Sequence, residues 1–276
     1  MIRDTFFSLN RFASVCRKEM VENWKTYVLR SIMVYGILAI AFLWRGYFVY
    51  KYMGVSPEGT LDPVWGFEST LFFCGLVAWG CISASFAMER MKSKTSRIVV
   101  LMTPATMFEK FFSRWLIATC GFLMVYFIAF KMADWTRVAV YALSYPDVDA
   151  IASFPLWQFC TNGGHFYEAS VGNGDALMFV SGYLVVQSFF FLGSVVWPKN
   201  ALVKTFAAGI SIMVVYTLFA ITLGKAVLPD NFYMADSNFS DETARTLVTS
   251  FNFMLVLFNW VIAYFRFKES EIINRW

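Results

Sequence analysis

Residues 176–223 read ALMFVSGYLVVQSFFFLGSVVWPKNALVKTFAAGISIMVVYTLFAITL, and this stretch decides the fold class. It holds two apolar runs, Ala176 to Trp197 and Thr205 to Leu223. Each run is long enough to cross the hydrocarbon core of a bilayer as a helix. Pro198 is expected to end the first helix, and the short turn to Lys204 predicts an antiparallel pair. The stretch therefore predicts a membrane protein.

The composition of the whole chain agrees with this interpretation. Of its 276 residues, 58% are apolar and only 15% are charged, and the mean hydropathy is +0.56. Soluble domains are about 45–50% apolar and about a quarter charged, so this chain has too few charges to cover a water-soluble surface. Its five cysteines form no CxxC pair and indicate neither a disulfide framework nor a zinc site. The sequence predicts an all-α polytopic membrane protein without a bound metal.

Six apolar runs occur along the chain, and we predict that each is a transmembrane helix. The third run is short, and its helix can continue past Lys131 through the apolar stretch Val138 to Tyr145. The predicted organisation is an arm over residues 1–30, followed by a six-helix transmembrane domain over residues 31–276 that ends in a short tail. The predicted spans are 31–50, 69–87, 115–130, 176–197, 205–223 and 246–264.

The distribution of Lys and Arg predicts the orientation of these spans. Seventeen of them lie in the N-terminal arm, the second-to-third loop, the fourth-to-fifth turn and the C-terminal tail, whereas the opposite loops hold five. Loops rich in Lys and Arg stay on the cytoplasmic side. Both termini are therefore predicted to be cytoplasmic, in a bacterial inner membrane.

The N-terminal arm has the apolar periodicity of an amphipathic helix. Such a helix with basic residues directly before a span is typical of an interfacial helix on the cytoplasmic leaflet. The alternative is a charged topology anchor with no further role. The apolar face consists of Leu9, Phe12, Cys16, Met20, Trp24 and Tyr27, and the polar face of Arg11, Lys18, Glu22 and Lys25.

The loop between the second and third spans contains another short amphipathic segment. Thr103 followed by Pro104 has the pattern of a helix start. Two interpretations remain open for this segment: a docking site for another protein, or a loop helix that re-enters the bilayer. Its apolar stripe is Met107, Phe108, Phe111, Phe112 and Trp115, and the residues left to face water or a partner are Glu109, Lys110, Ser113 and Arg114.

The same segment resembles a known family. Thr103-Pro104-Ala105-Thr106, with Glu109-Lys110-Phe111-Phe112-Ser113-Arg114-Trp115-Leu116, is similar to the cytoplasmic loop of bacterial ATP-binding-cassette (ABC) exporter permeases of the six-span, ABC-2-like type. The six-span layout, the cytoplasmic termini and the amphipathic arm are similar too. The resemblance implies that the arm and this coupling-like helix contact a separate ATPase subunit. It also implies that two permease copies, identical or different, line the export path.

The resemblance also implies which residues dock the ATPase. Permeases of this family often carry a pair of re-entrant helices before the last span, whereas residues 226–244 are polar and acidic here and predict at most a partial one. The implied docking residues are Thr103, Pro104, Thr106, Glu109, Lys110, Phe111 and Arg114.

The chain carries no sequence motif for a motor or an enzyme. GxxxxGK[ST], whose backbone amides cradle phosphate, does not occur, and neither do HExxH and GxSxG. His165 is the single histidine, in a predicted outside loop. The sequence thus predicts no catalytic residue, no cofactor and no nucleic-acid partner, and the energy for transport must come from another subunit.

A few charges are predicted at the outer ends of the spans. Arg45 can extend its side chain towards the interface or pair with Glu68 at the start of the second span. Lys131 and Asp134 lie one turn apart and are expected to pair with each other. The sequence shows no chain of buried carboxylates of the kind that proton-driven carriers use, which disfavours a secondary carrier.

Two functions from different classes follow from these features. The first is the permease subunit of an ABC exporter, which couples ATP hydrolysis by a partner to substrate export. The second is a membrane scaffold or sensor that uses the same loop to hold a different cytoplasmic protein. The cargo and the direction of movement stay open.

Overall fold

A computed structural model describes residues 6–53, 62–145, 151–157, 176–227 and 241–270. These residues are almost entirely helical, and none of them forms a strand. His165, residues 228–240 of the predicted re-entrant region and most of the loop after Tyr145 lie outside the described residues. The main helices are α1 (Leu9–Phe48), α2 (Trp65–Ser85), α3 (Lys94–Leu101), α4 (Met107–Leu116), α5 (Phe122–Ser144), α6 (Ala176–Val196), α7 (Ala201–Val227) and α8 (Asp241–Lys268).

Six helices are long and apolar enough to cross a membrane, and each overlaps one of the predicted apolar runs. A helix of about 20 residues spans the hydrocarbon core, and all six reach roughly that length. The chain is therefore described as a multi-pass membrane protein. The six helical stretches are Leu9–Lys51, Trp65–Met91, Met107–Ser144, Leu177–Val196, Ala201–Phe219 and Arg245–Lys268.

The N-terminal arm and the first predicted span form one uninterrupted helix. α1 runs from Leu9 to Phe48 and continues into a π-helical turn, Val49–Met53. At about 1.5 Å per residue it is about 60 Å long, roughly twice the thickness of the hydrocarbon core. This differs from the separate interfacial helix that the sequence predicted. No Pro or Gly lies between the two predicted parts to break the helix.

The third spanning helix is also longer than the predicted run. α4 leads through a π-helical turn, Ile117–Gly121, directly into α5. α5 then continues past Lys131 to Ser144, along the apolar stretch that followed the predicted run. The polar residues at both ends of this 38-residue helix consequently lie on the same continuous rod as the span.

Contacts divide the chain into two compact units, and in the first unit α1 runs parallel to α4 and α5. Near the beginning of both helices Arg11 contacts Glu109, and near their ends the Tyr141 hydroxyl donates to the Leu43 carbonyl (2.5 Å). The first unit comprises Met1–Ser83 and Ala105–Phe179, and the second comprises Ala84–Pro104 and Val180–Trp276.

α2 runs antiparallel to α5 in the first unit. The Tyr126 hydroxyl donates to the Phe72 carbonyl (2.9 Å), and further along the Ser83 hydroxyl donates to the Ala118 carbonyl (3.2 Å). α1 and α5 therefore cross in one direction and α2 in the other, as three consecutive spans must.

The second unit has the same alternation. α6 ends at Val196, directly before the turn that contains Pro198. A Cβ on Gly193 would overlap the Thr205 hydroxyl, and a Cβ on Gly209 would lie 3.4 Å from the Phe189 ring. Later residues of α7 thus meet earlier residues of α6, so the two helices are antiparallel, as predicted.

α8 runs parallel to α6. Asn252 donates to Ser181 (3.1 Å), and Asn259 donates to Ser188 (3.0 Å), one heptad further along both helices. Such side-chain hydrogen bonds fix the register of two helices in an apolar medium.

Candidate functional site

The loop helix α4 begins at Met107 and is capped by Thr106, three residues later than the cap that the sequence predicted. The Thr106 hydroxyl accepts the Glu109 amide (3.2 Å), and the Glu109 carboxylate accepts the Thr106 amide (3.0 Å). This reciprocal pair is a capping box. The predicted helix start at Thr103 is wrong, because its hydroxyl donates back to the Val99 carbonyl (2.9 Å) and Pro104 lies outside the helix.

Glu109 joins this cap to the N-terminal arm. Its Oε1 accepts the backbone amide of Ser8 (2.8 Å), and its two oxygens accept the Arg11 guanidinium at distances down to 2.7 Å. The Thr106 hydroxyl in turn donates to the Phe6 carbonyl (3.1 Å). Glu109 is fully buried, whereas Arg11 is 26% exposed. One carboxylate therefore satisfies free amides at the start of both helices and a cation between them.

A second ion pair lies farther along the same two helices. Arg114 donates through Nε and Nη2 to Glu19 Oε1 at 3.0 and 2.8 Å, and its side chain is 5% exposed. The order of charges on the two helices is complementary. Along α1 a cation (Arg11) is followed by an anion (Glu19), and along α4 an anion (Glu109) is followed by a cation (Arg114). This pattern fixes the register of the parallel pair.

Aromatic rings fill the space beside these ion pairs. The Phe6 ring lies 4.9 Å from Phe108, and the Phe12 ring lies 5.3 Å from Phe112, measured between centroids. Phe112 also stacks on Trp115 at 5.3 Å. Aromatic pairs at such centroid distances stabilise an interface beyond the contribution of the apolar surface that they bury. We call this whole interface of the arm with α4 the arm–loop contact.

The implied docking residues are thus placed in two different environments. Glu109, Lys110, Phe111 and Arg114 are buried, and the first and last of them are paired with α1. Thr103 and Thr106 are half-buried and Pro104 is exposed. Of the charged residues expected to face a partner, Glu109 and Arg114 instead hold α4 to the arm. An effect of a partner on them must pass through the arm–loop contact.

A second polar cluster lies at the other end of the same unit, centred on Arg137 of α5. Its Nη1 donates to Asp62 Oδ2 (2.8 Å) and to the Tyr50 hydroxyl (2.8 Å), and its Nη2 donates to Asp134 Oδ1 (2.9 Å). Its Nε lies 2.6 Å from Glu68 Oε1, without the alignment of a hydrogen bond. Arg137 and the three carboxylates are essentially inaccessible to solvent. We call these five residues, with Lys131, the Arg137 cluster.

The Arg137 cluster holds the segment of residues 151–155 by its backbone. The Ala152 carbonyl accepts Arg137 Nη2 (2.8 Å) and the indole of Trp65 (3.2 Å). The Phe154 amide donates to Asp134 Oδ2 (2.9 Å), and the Phe154 carbonyl accepts the Lys131 ammonium. The cluster therefore ties this segment to the ends of α1, α2 and α5.

Of the two ion pairs that the sequence suggested at the ends of the spans, the structure contains one and lacks the other. Lys131 and Asp134 meet at 3.3 Å, as expected from their spacing. Glu68, however, contacts Arg137 and not Arg45, whose guanidinium lies over the Phe67 ring at 5.9 Å. Glu68 lies in the first turn of α2, and α5 extends far enough to bring Arg137 beside it.

Sequence reasoning overlooked Arg137, Asp62 and Glu19 as members of these contacts. The sequence contains a pattern that could have identified Arg137. Asp134, Arg137 and Tyr141 share one face of a helix if the third span continues past Lys131. For Asp62 and Glu19 the spacing carries no signal, because their partners are far away in the sequence.

Comparison with known proteins gives no relative for this chain: no family model, no curated protein and no solved structure matches it. The function must therefore be argued from the residues and their arrangement.

Proposed function

We propose that the chain is the permease subunit of a bacterial ABC exporter. The observation that carries the proposal is the arm–loop contact. It binds the segment that resembles the family's coupling helix to the helix that becomes the first span. A force applied to the loop would then be transmitted to α1 through Glu109 and Arg114, and directly to α5 because α4 and α5 are one rod.

The proposed orientation places both termini and the arm–loop contact in the cytoplasm. The parallel course of α1 and α4–α5 puts the arm and the loop helix at the same end of the first unit. That end is rich in Lys and Arg, which favours the cytoplasmic side of an inner membrane. Because α1 is one continuous helix of 40 residues, longer than a span requires, the arm would extend beyond the bilayer alongside α4, where a soluble partner could reach both.

The energy for export comes from a separate ATPase subunit in this proposal, because the chain has no phosphate-binding loop motif. A second permease copy, identical or homologous, completes the path. ATP-driven closure of the ATPase pair would press on the loops of both permeases and tilt the rods that continue from them.

Purification from the native host tests this proposal. The tagged full-length chain, extracted in mild detergent, is expected to bring down a protein with a phosphate-binding loop, and the complex is expected to hydrolyse ATP. A complex that contains soluble proteins but no ATPase would contradict the proposal and favour the scaffold or sensor.

A further inference from the structure

The three carboxylates of the Arg137 cluster differ in their hydrogen bonds. Both oxygens of Asp62 are used: they accept the Tyr50 hydroxyl, Arg137, and the amides of Val64 and Ala152. Both oxygens of Asp134 are used as well, by side chains of α5 and by a backbone amide of the held segment. These two groups have the partners that an ionised carboxylate requires when it is buried.

Glu68 does not. Its side chain is fully buried, and neither of its oxygens accepts a hydrogen bond. It forms an ion pair with Arg137, whose Nε lies 2.6 Å from Glu68 Oε1 but out of line for a hydrogen bond. A buried carboxylate without hydrogen bonds is costly, and the neutral acid avoids most of that cost.

The charges around Glu68 lead to the same conclusion. The facing groups are Arg137, Asp134 and Lys131 from α5, Tyr50 from the π-helical turn after α1, and Asp62 from the residues before α2. Two cations thus meet three acids, so the cluster is neutral when one acid carries a proton. Arg45 of α1 lies over the Phe67 ring and makes no ion pair with Glu68.

We propose that Glu68 is a proton-binding site. Its carboxyl holds a proton at neutral pH, which makes the Arg137 cluster neutral and lets Arg137 bind Asp62 and Asp134 without competition. Loss of that proton adds a negative charge that competes for Arg137 and weakens its hold on residues 151–155. The site is thereby a proton-sensitive control of this segment, and it does not depend on the transporter proposal.

Infrared spectroscopy of the full-length protein in lipid nanodiscs tests the proposal directly. At neutral pH the wild type is expected to show the C=O band of a protonated buried carboxylic acid, and Glu68→Gln is expected to lack it. Glu22→Gln, which changes an exposed acid of α1, is the matched control and should keep the band. A wild-type spectrum without the band, or a band that persists in Glu68→Gln, would overturn the proposal.

The pH dependence of thermal unfolding gives a second measurement. If the folded protein holds a proton that the unfolded chain releases, stability is highest at low pH and falls as the pH rises. Because an unfolded glutamate releases its proton at about pH 4, the wild-type melting temperature is expected to fall as the pH rises from about 5 to about 7, and the Glu68→Gln profile to be flatter over that range. Gln has the shape of the neutral acid, so failure of this variant to fold would also contradict the proposal.

Discussion

Glu109 is the residue on which the arm–loop contact depends most. It accepts amides from the start of both helices and the guanidinium of Arg11. Charge-assisted hydrogen bonds of this kind contribute more than neutral ones, and a buried partner left alone costs more than the pair contributes. The contact of the arm with α4 should therefore respond strongly to a change of charge at this position.

Reversing one charge of this pair should destabilise the protein, and reversing both should restore only the part that the ion pair contributes, because an arginine at position 109 cannot accept the amides of Ser8 and Thr106. We expect Glu109→Arg to lower the unfolding free energy by about 3 kcal/mol, because two cations then meet in a buried contact. Adding Arg11→Glu re-forms an ion pair. The measurement is the melting temperature in detergent, together with ATPase activity of the copurified complex.

The combined reversal also separates two roles for Glu109. If it acts through Arg11, the double variant recovers coupling between ATP hydrolysis and transport together with stability. Recovery of stability alone would show that Glu109 contacts the partner directly. Glu22→Gln is the control, since its exposed pair with Lys18 at 4.0 Å contributes little.

Arg137 is the corresponding residue at the other end of the unit. We expect Arg137→Met to reduce the unfolding free energy by about 3–5 kcal/mol, because it leaves buried carboxylates without their cation. Arg137→Lys keeps the charge but cannot reach Asp62 and Asp134 with one planar fork, so its loss should be smaller. Limited proteolysis near residues 151–155 should accelerate in both. Unchanged proteolysis and melting would contradict the structural role of this arginine.

At the level of helices, α5 contacts α1 and α2 through the same kind of packing, in which a tyrosine lies against a glycine of the neighbouring helix. A tyrosine of α5 donates its hydroxyl to a carbonyl of the neighbouring helix, and a glycine three residues after that carbonyl leaves room for the ring. A Cβ on Gly75 would lie 2.6 Å from the Tyr126 hydroxyl oxygen, and a Cβ on Gly46 would lie 2.4 Å from Cε2 of Tyr141. Both distances are far inside van der Waals contact.

The two glycines should respond differently to a second substitution. Gly75→Ala and Gly46→Ala should each destabilise the protein by about 1–3 kcal/mol through overpacking. Removing the hydroxyl in Gly75→Ala/Tyr126→Phe should relieve that clash, because the next ring atom is 3.5 Å away.

Gly46→Ala/Tyr141→Phe should stay destabilised, because the ring itself is in the way. Gly36→Ala, which meets no atom within 4 Å, is the control and should be neutral or slightly stabilising. Melting temperatures in detergent compare the five variants. Equal behaviour of the two double variants would contradict this packing.

The helices themselves were largely predictable from the sequence, whereas their ends were less so. Apolar length alone identifies six membrane-crossing helices. Pro104 after Thr103 predicts a helix start at Thr103, but Thr106 and Glu109 have the spacing of a capping box, and the structure has the cap at Thr106. The arm was separated from the first span by its polarity, but polarity does not break a helix. The Arg137 cluster depends on contacts distant in sequence that no local pattern contains.

At the scale of the whole molecule, the two ends of the first unit have distinct roles. One end holds the arm–loop contact, which the proposed function assigns to an ATPase in the cytoplasm. The other end holds the Arg137 cluster, which this orientation places outside. The proposed function therefore depends on which end of these parallel helices faces the cytoplasm.

Cysteine labelling in spheroplasts tests this orientation most directly. The five native cysteines are first replaced by serine, and single cysteines are then introduced as Lys92→Cys and Ser144→Cys, both at exposed positions. A membrane-impermeant maleimide is expected to label the position 144 variant in intact spheroplasts and the position 92 variant only after lysis. Labelling of the position 92 variant in intact spheroplasts would contradict the account.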